Sequence, residues 1–480
     1  MNRRTSLLLL AGGLVIFLAW LVGYPLLITL AEALGMRRGW TLEHFQEFFT
    51  FRDEWLALWR SLWTSVASVV LAALVGVPLG FLFERTDFPG RRVIGALVAL
   101  PVALPPLVGV IAFLFLYGES GFVSRLVQLA LGLEDAPWRL SGPGAILLVH
   151  TYSMYVYFYL FTRAALARLD ASLLEAAASL GAGRWRTFGR VTLPMLRPAL
   201  AGAALLTFMT ALASFSAPYL FGGSFRVMTT QIVASRLNGA EELAQVETVM
   251  LAALALVALG LMRLLDPDRE LASPAHGLAP ARRQLQSRGA RWTAAVLGWG
   301  LALVLLLPHA TLALISLVPK GTWTMELLPP VLSGRNYLHL FSEPERLRPL
   351  LNSLWMAALA TGGALVLGFA TARAALLIRG RLGRGLQALL GLPWAIPGTV
   401  FAVALATTFS INAPEVGRFL LIGTPWLLPL AYLLRNLPLT GRAALTGLRQ
   451  LDPSLGEAAA SLGAGRWRTL WRVTLPMVKA

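Results

Sequence analysis

Apolar residues along this chain gather into stretches of about twenty, long enough to cross a hydrocarbon layer of roughly 30 Å. They lie near residues 6–30, 60–83, 93–117, 143–162, 198–221, 247–265, 292–318, 352–376, 386–409 and 418–434. The pattern predicts ten membrane-spanning helices. The first stretch is too long for the apolar region of a cleaved signal peptide and lacks a small-x-small cleavage site, so it is kept as a helix. Of 480 residues, 57% are hydrophobic and 14% charged, against roughly 45–50% and about 25% in soluble domains. The expected fold class is therefore an all-α polytopic membrane protein.

Charge gives the spans a direction, because Lys and Arg collect on the cytoplasmic side. With Arg3 and Arg4 inside, 28 of the 41 basic residues and 9 of the 24 acidic ones fall in inner segments, leaving +19 inside and −2 outside. The net charge of +17 is thus a topology signal. It is not read as a nucleic-acid surface, since the arginines flank spans and form no patch interleaved with aromatics.

Several chemistries are excluded by what is missing. The absence of cysteine removes disulfides, thiolate metal sites and cysteine catalysis. The only lysines, Lys320 and Lys479, do not follow glycine, so the chain has no P-loop. Apart from Glu247, at the first position of the sixth, the ten spans contain no Asp or Glu, whereas an ion-coupled carrier needs carboxylates at membrane depth. His150 and His309 stand alone near span ends and are read as satisfied or interfacial. Five scattered histidines give an enzyme no constellation to work with, so no catalytic residue and no metal ligand is assigned.

Self-comparison organises the rest. Residues 175–187, EAAASLGAGRWRT, recur unchanged at 457–469, and RVTLPM at 190–195 recurs at 472–477. Further upstream Ser61-Leu62-Trp63 pairs with Ser353-Leu354-Trp355, and Leu100-Pro101-x-x-x-Pro105 with Leu392-Pro393-x-x-x-Pro397. The expected domains are a first repeat of six spans over 1–265, a cytoplasmic linker over 266–291 and a second repeat over 292–480 with four spans. An even number of spans per repeat makes the halves parallel, related by an axis along the membrane normal. The linker, with Pro267, Pro274 and Pro280, reads as a flexible tether. By the repeat, the second half would need about 65–70 further residues to match the first, so the expectation is a second half truncated after its fourth span.

Both duplicated segments fall on the inner side. Asp170 and Asp452 precede runs of good helix formers and can cap them; Pro453 suits a first helical turn. Gly181 and Gly463 sit where a left-handed residue ends a helix, and Pro194 and Pro476 punctuate the approach to the next span. Each loop should be a short helix, a sharp turn and a basic amphipathic segment carrying Arg184, Trp185, Arg186 and Arg190 or Arg466, Trp467, Arg468 and Arg472. A single such loop could lie on lipid headgroups. Thirteen identical residues in two weakly similar halves instead imply that both loops meet the same object.

The order Glu175-Ala176-Ala177, Gly181, Val191, Leu193-Pro194, repeated as Glu457-Ala458-Ala459, Gly463, Val473, Leu475-Pro476, resembles the EAA loop of ATP-binding-cassette importer permeases. A single chain with two such halves resembles the fused iron(III)/thiamine permease group. The resemblance implies a non-catalytic subunit of the bacterial inner membrane, N-terminus cytoplasmic, with no cofactor of its own. It implies that Glu175, Ala176, Ala177, Gly181 and Pro194, with Glu457, Ala458, Ala459, Gly463 and Pro476, couple it to a homodimeric ATPase carrying ATP–Mg. It also implies a periplasmic or lipid-anchored binding protein at the outer mouth.

The substrate is the least determined expectation. Tyr152, Tyr155 and Tyr159 either line a pathway or pack as interface aromatics. Thr210 and Ser214 share a helical face that could line the same pathway or satisfy backbone groups. The segment Ser214 to Gly223 resembles the iron(III) permeases, although nothing in these residues supplies the anionic oxygen cluster that ferric ion would demand. Thiamine, an aminophosphonate or a polyamine are the alternatives within the group; an ion-coupled carrier is the alternative outside it.

Overall fold

The computed structural model describes residues 3–36, 39–265, 283–284, 287–323, 326–378, 380–410 and 420–479. In chain order the helices are α1 (Arg3–Leu18), α2 (Tyr24–Ala33), α3 (Glu43–Thr50), α4 (Arg52–Arg85), α5 (Arg91–Leu97), α6 (Pro106–Tyr117), α7 (Phe122–Leu131) and α8 (Gly142–Ala167). Then come α9 (Ala171–Ser179), α10 (Arg184–Thr187), α11 (Leu193–Leu212), α12 (Ser216–Phe221), α13 (Met228–Leu237), α14 (Glu241–Leu265) and α15 (Arg288–Ser316). The remainder are α16 (Arg335–Ser342), α17 (Pro344–Leu377), α18 (Arg381–Ala395), α19 (Gly398–Thr408), α20 (Leu427–Gln450), α21 (Pro453–Ser461), α22 (Arg466–Thr469) and α23 (Leu475–Lys479). This is an all-α polytopic membrane protein.

Among the described residues, eight helical segments are long and apolar enough to cross a bilayer, or nine if the bent pair α18–α19 is one span. The expected tenth span is displaced. Hydropathy placed it at 418–434, because Arg435, Asn436 and Arg442 cut the apolar window short; the helix runs from Leu427 to Gln450 and carries those polar residues inside it. The fifth span also moves. It ends at Leu212, and the residues up to Phe221 form a separate helix after a break.

The third and ninth spans are broken, and the cause is local. A residue before proline is driven to extended backbone by the pyrrolidine ring. Leu104 (φ −72°, ψ 127°) precedes Pro105, and Ile396 (φ −122°, ψ 135°) precedes Pro397. The second break turns the chain by 106°. Each break leaves carbonyls without helical partners, and the two halves answer differently. Tyr155 and Tyr159 of α8 donate to the Val98 and Gly95 carbonyls. In the other half Arg435 of α20 donates to the carbonyls of Pro393 (3.0 Å) and Ile396 (3.1 Å).

Two compact units divide the chain: Met1–Phe48, Gly239–Ala253 and Pro344–Ala480 form one, Phe49–Asn238 and Leu254–Glu343 the other. These units are not the sequence halves. The first helix of the chain belongs with α17–α20, whereas α15, the first helix of the second half, belongs with α4–α8. In the unit built on α4 and α8, Ala72, Phe83, Ile94, Val98, Tyr155 and Tyr159 make the core together with Ala295 and Ala302 of α15. Small residues permit the closest approach: a Cβ on Gly76 of α4 would stand 2.3 Å from the Tyr155 carbonyl oxygen. In the unit built on α17 and α20, Ala11 and Leu18 of α1 pack with Ala375, Ile378, Leu386, Leu390 and Leu437.

α11 packs against both α4 and α8. On the α17–α20 pair it is α18 that packs against both helices, and Leu354 (60%) and Leu439 (54%) lie exposed there. The tether reading of 266–291 falls largely on residues outside those described, and its far end departs from it. Arg283–Gln284 pairs in parallel with Thr86–Asp87, and Ser287 caps α15 by accepting from the Ala290 amide at 3.0 Å.

Candidate functional site

The two EAA segments fold alike, because the forces that shape them are local. Asp170 accepts from the Ser172 amide and Asp452 from the Ser454 amide, both at 2.9 Å, so each short helix has its expected N-cap. The hydrogen bonds to Asp452 from the Ser454 backbone and then from its side chain hold that carboxyl below the usual aspartate range. At the other end Gly181 and Gly463 both adopt φ +74°. The Gly181 amide bonds the Ala178 carbonyl and the Ala182 amide bonds the Ala177 carbonyl, each at 2.9 Å. The second segment repeats this with Gly463 to Ala460 and Ala464 to Ala459. This double closure is a Schellman motif. Nothing lies within 4 Å of a Cβ placed on either glycine, so glycine is required here by backbone conformation and not by crowding.

The turn sets out a display. Ala177 and Ala459 face inward, while Glu175, Ala176, Glu457 and Ala458 are exposed. Leu180 and Trp185 are each 87% exposed, as is Leu462, and Trp467 is 71% exposed. Large apolar side chains held this far into solvent are the kind of patch that a partner surface presents. The sequence reading named the glutamates, alanines, glycines and prolines of this motif. It did not single out Leu180 and Leu462, although both stand in the duplicated run.

Pro194 and Pro476 do more than punctuate. Each lies about three turns into a continuous helix, just after a π turn formed by Phe188–Thr192 or Leu470–Thr474. Proline offers no amide and its ring crowds the carbonyl four residues back, and the wider turn accommodates both defects. The basic segment after each glycine is therefore the first turns of the next membrane helix. In the first half that helix runs from Arg184 to Leu212 without interruption.

The five pathway candidates do not form one surface. Tyr155 (1% exposed) and Tyr159 (0%) lie in the core of their unit, and their hydroxyls brace the broken third span. Here they pack in the core, the second of the two roles open to them. Tyr152 donates to the Leu305 carbonyl of α15 at 2.7 Å. Thr210 bonds back to the Leu206 carbonyl at 2.7 Å, satisfying backbone within its own helix. Ser214 lies 2.9 Å from the His150 ring. All five hydroxyls are engaged inside the protein.

Comparison with known proteins supplies the family. The family described as binding-protein-dependent transport system inner membrane component matches residues 76–270 and again 364–480. "Probable ABC transporter permease protein y4fN" of Sinorhizobium fredii (strain NBRC 101917 / NGR234) is 30% identical over 474 residues, covering 97% of this chain and 83% of that protein. The ferric transport system permease protein FbpB of Actinobacillus pleuropneumoniae is 28% identical over 430 residues, covering 88% of this chain. The thiamine transport system permease protein ThiP of Brucella abortus (strain 2308) is 32% identical over 241 residues, covering 48% of this chain. The chain spans 60% of the length of FbpB and 42% of that of ThiP. With a family match over more than half its length and a relative aligned nearly end to end, this chain belongs to the binding-protein-dependent transport system inner membrane components, the permeases of ATP-binding-cassette importers.

Proposed function

We propose that the chain is the membrane subunit through which an ATP-driven importer passes iron(III), with hydrolysis of ATP–Mg on a separate ATPase dimer. The observation that carries the reading is the duplicated loop: two segments of identical sequence fold to the same capped helix and Schellman turn, and both display an outward leucine and tryptophan. Two equal surfaces suit two equal subunits. The sequence repeats 1–265 and 292–480 are the two halves that hold them, joined by 266–291. Substrate arrives from a binding protein on the outer side. Iron(III) is favoured over thiamine because the ferric relative aligns over 88% of this chain and the thiamine relative over 48%.

The test couples docking to cargo. The chain is co-expressed with candidate ATPase and binding-protein partners and purified in detergent. Retention of the ATPase, its loss when Trp185 and Trp467 are both changed to Ala, and ferric ion on the co-purifying binding protein are the expected results. Thiamine on that protein would move the substrate assignment within the group; no ATPase retained would remove the reading. Orientation is tested with single cysteines at Arg186 and Glu242 and an impermeant thiol reagent on whole cells. Only the cysteine at 242 should react.

A further inference from the structure

One buried titratable side chain has no part in coupling-loop docking. His150, on α8, is 3% exposed. Its Nδ1 lies 2.8 Å from Ser68 Oγ of α4, and its Nε2 lies 2.9 Å from Ser214 Oγ in the break between α11 and α12. The donor chain assigns the tautomer. Ser68 donates its hydroxyl proton to the Thr64 carbonyl at 2.6 Å, so its oxygen is left to accept and Nδ1 carries the ring proton. Nε2 then offers a lone pair, which takes the Ser214 hydroxyl. The Ser214 carbonyl in turn accepts from Thr229 of α13 at 2.7 Å. A single neutral imidazole thus joins α4, α8 and the outer end of α11, and reaches α13 through Ser214.

Position gives this joint its meaning. The continuous helix from Arg184 to Leu212 starts in the first coupling loop and stops where Ser214 begins the break. Beyond the break, α12 and α13 form a cap held to α4: the Met228 amide donates to Ser61 Oγ at 2.7 Å, and Gln231 donates to Glu54 at 2.8 Å. Displacement of the loop along α11 therefore arrives at the residue that His150 holds. The repeat offers no second joint of this kind, since Ala360 stands where Ser68 does and Tyr432 where His150 does.

We propose that His150 is a positioning residue, a latch that keeps the α12–α13 cap closed on α4 and α8 until movement of α11 pulls Ser214 away. Its part in transport rests on the importer reading; its part in holding the cap does not. The chain has no cysteine, so Ile232→Cys, at a position fully buried on α13, reports cap opening by its rate of reaction with a permeant maleimide. The measurement is made in native membranes on the whole chain, with no ATPase or binding protein added. Failure of the latch is thereby separate from failure of the importer reading, which ATPase retention tests.

Labelling should rise about tenfold with His150→Ala or Ser214→Ala, the equivalent of one to two net hydrogen bonds. The double variant should be no faster than either single, because both break one joint. His150→Gln, whose amide keeps a donor and an acceptor, should restore slow labelling in part. Ala72→Cys, fully buried on α4, should stay slow throughout. Unchanged labelling at 232 in both single variants, additive effects in the double, or equal acceleration at 72 would each overturn the latch.

Discussion

The two EAA loops share a backbone and differ in what stands behind them. In the first, Phe188 rests on Phe81 of α4, ring centroids 5.7 Å apart, and Trp185 meets Phe188 edge-on at 6.5 Å. In the second, the positions after the identical run read Leu470-Trp471 in place of Phe188-Gly189. There Trp467 meets Trp471 at 5.7 Å, and Trp471 is 56% exposed. The first loop is tied back into its unit by an aromatic pair, whereas the second turns its extra indole outward. Local chemistry is enough to build the short helix and its turn, and the flanking residues set how firmly it is mounted and how much surface it offers.

The greatest loss should come from attacking what the loops share. Gly181→Asp with Gly463→Asp forces a Cβ into left-handed backbone twice, at about 1–2 kcal/mol each, and adds charge to the docking surface. The solubilised chain should then retain its ATPase at least about tenfold less well, with each single change milder. Full retention by the double variant would show that the loops are headgroup-bound helices. Next come the exposed indoles. Trp185→Ala and Trp467→Ala should weaken ATPase binding by similar amounts, about 2 kcal/mol each if they anchor the interface. Trp471→Ala should weaken the second loop further, with no equivalent available in the first. Unequal effects of the matched pair would break the symmetry.

Smaller effects probe the mounting. Phe81→Ala removes an aromatic contact worth about 0.5–1.5 kcal/mol and should speed tryptic cleavage after Arg184 and Arg186 several-fold in membranes, leaving Arg468 unchanged. Equal acceleration at both loops would contradict independent anchoring. The smallest concerns pH. The Asp452 carboxyl is held below its ordinary value of 3.8, so its capping contribution is fully present above that value and lost as pH falls through the depressed one. A peptide of residues 450–465, followed by circular dichroism, should keep its helicity from neutral pH to about 4 and lose part of it below. Asp452→Ala should remove that part of the loss; an unchanged titration would show that the cap is not acting.

What could be read from the sequence is what neighbouring residues decide. Asp170, Gly181 and their counterparts occupy the roles their types suggest, because capping and left-handed closure need only a few adjacent residues. The Leu-Pro-x-x-x-Pro pairs were visible as matching motifs, yet read as uninterrupted span. Apolar content dominates a hydropathy window and hides the backbone constraint before each proline. Partners distant in sequence were hidden altogether. Tyr155 and Arg435 brace similar breaks with different chemistry, and α1 packs with the second half, because those choices depend on which helices meet.

The π turn ahead of each loop proline fixes an angular phase. A helix advances about 100° per residue, and the extra residue held in Phe188–Thr192 or Leu470–Thr474 sets the azimuth at which the short EAA helix meets the span that follows. Removing one residue there would leave cap, turn and span chemically intact while rotating the leucine and tryptophan away from their bearing. Insertions and deletions in these five residues therefore act as a dial on direction, and matched changes in both halves should be better tolerated than a change in one.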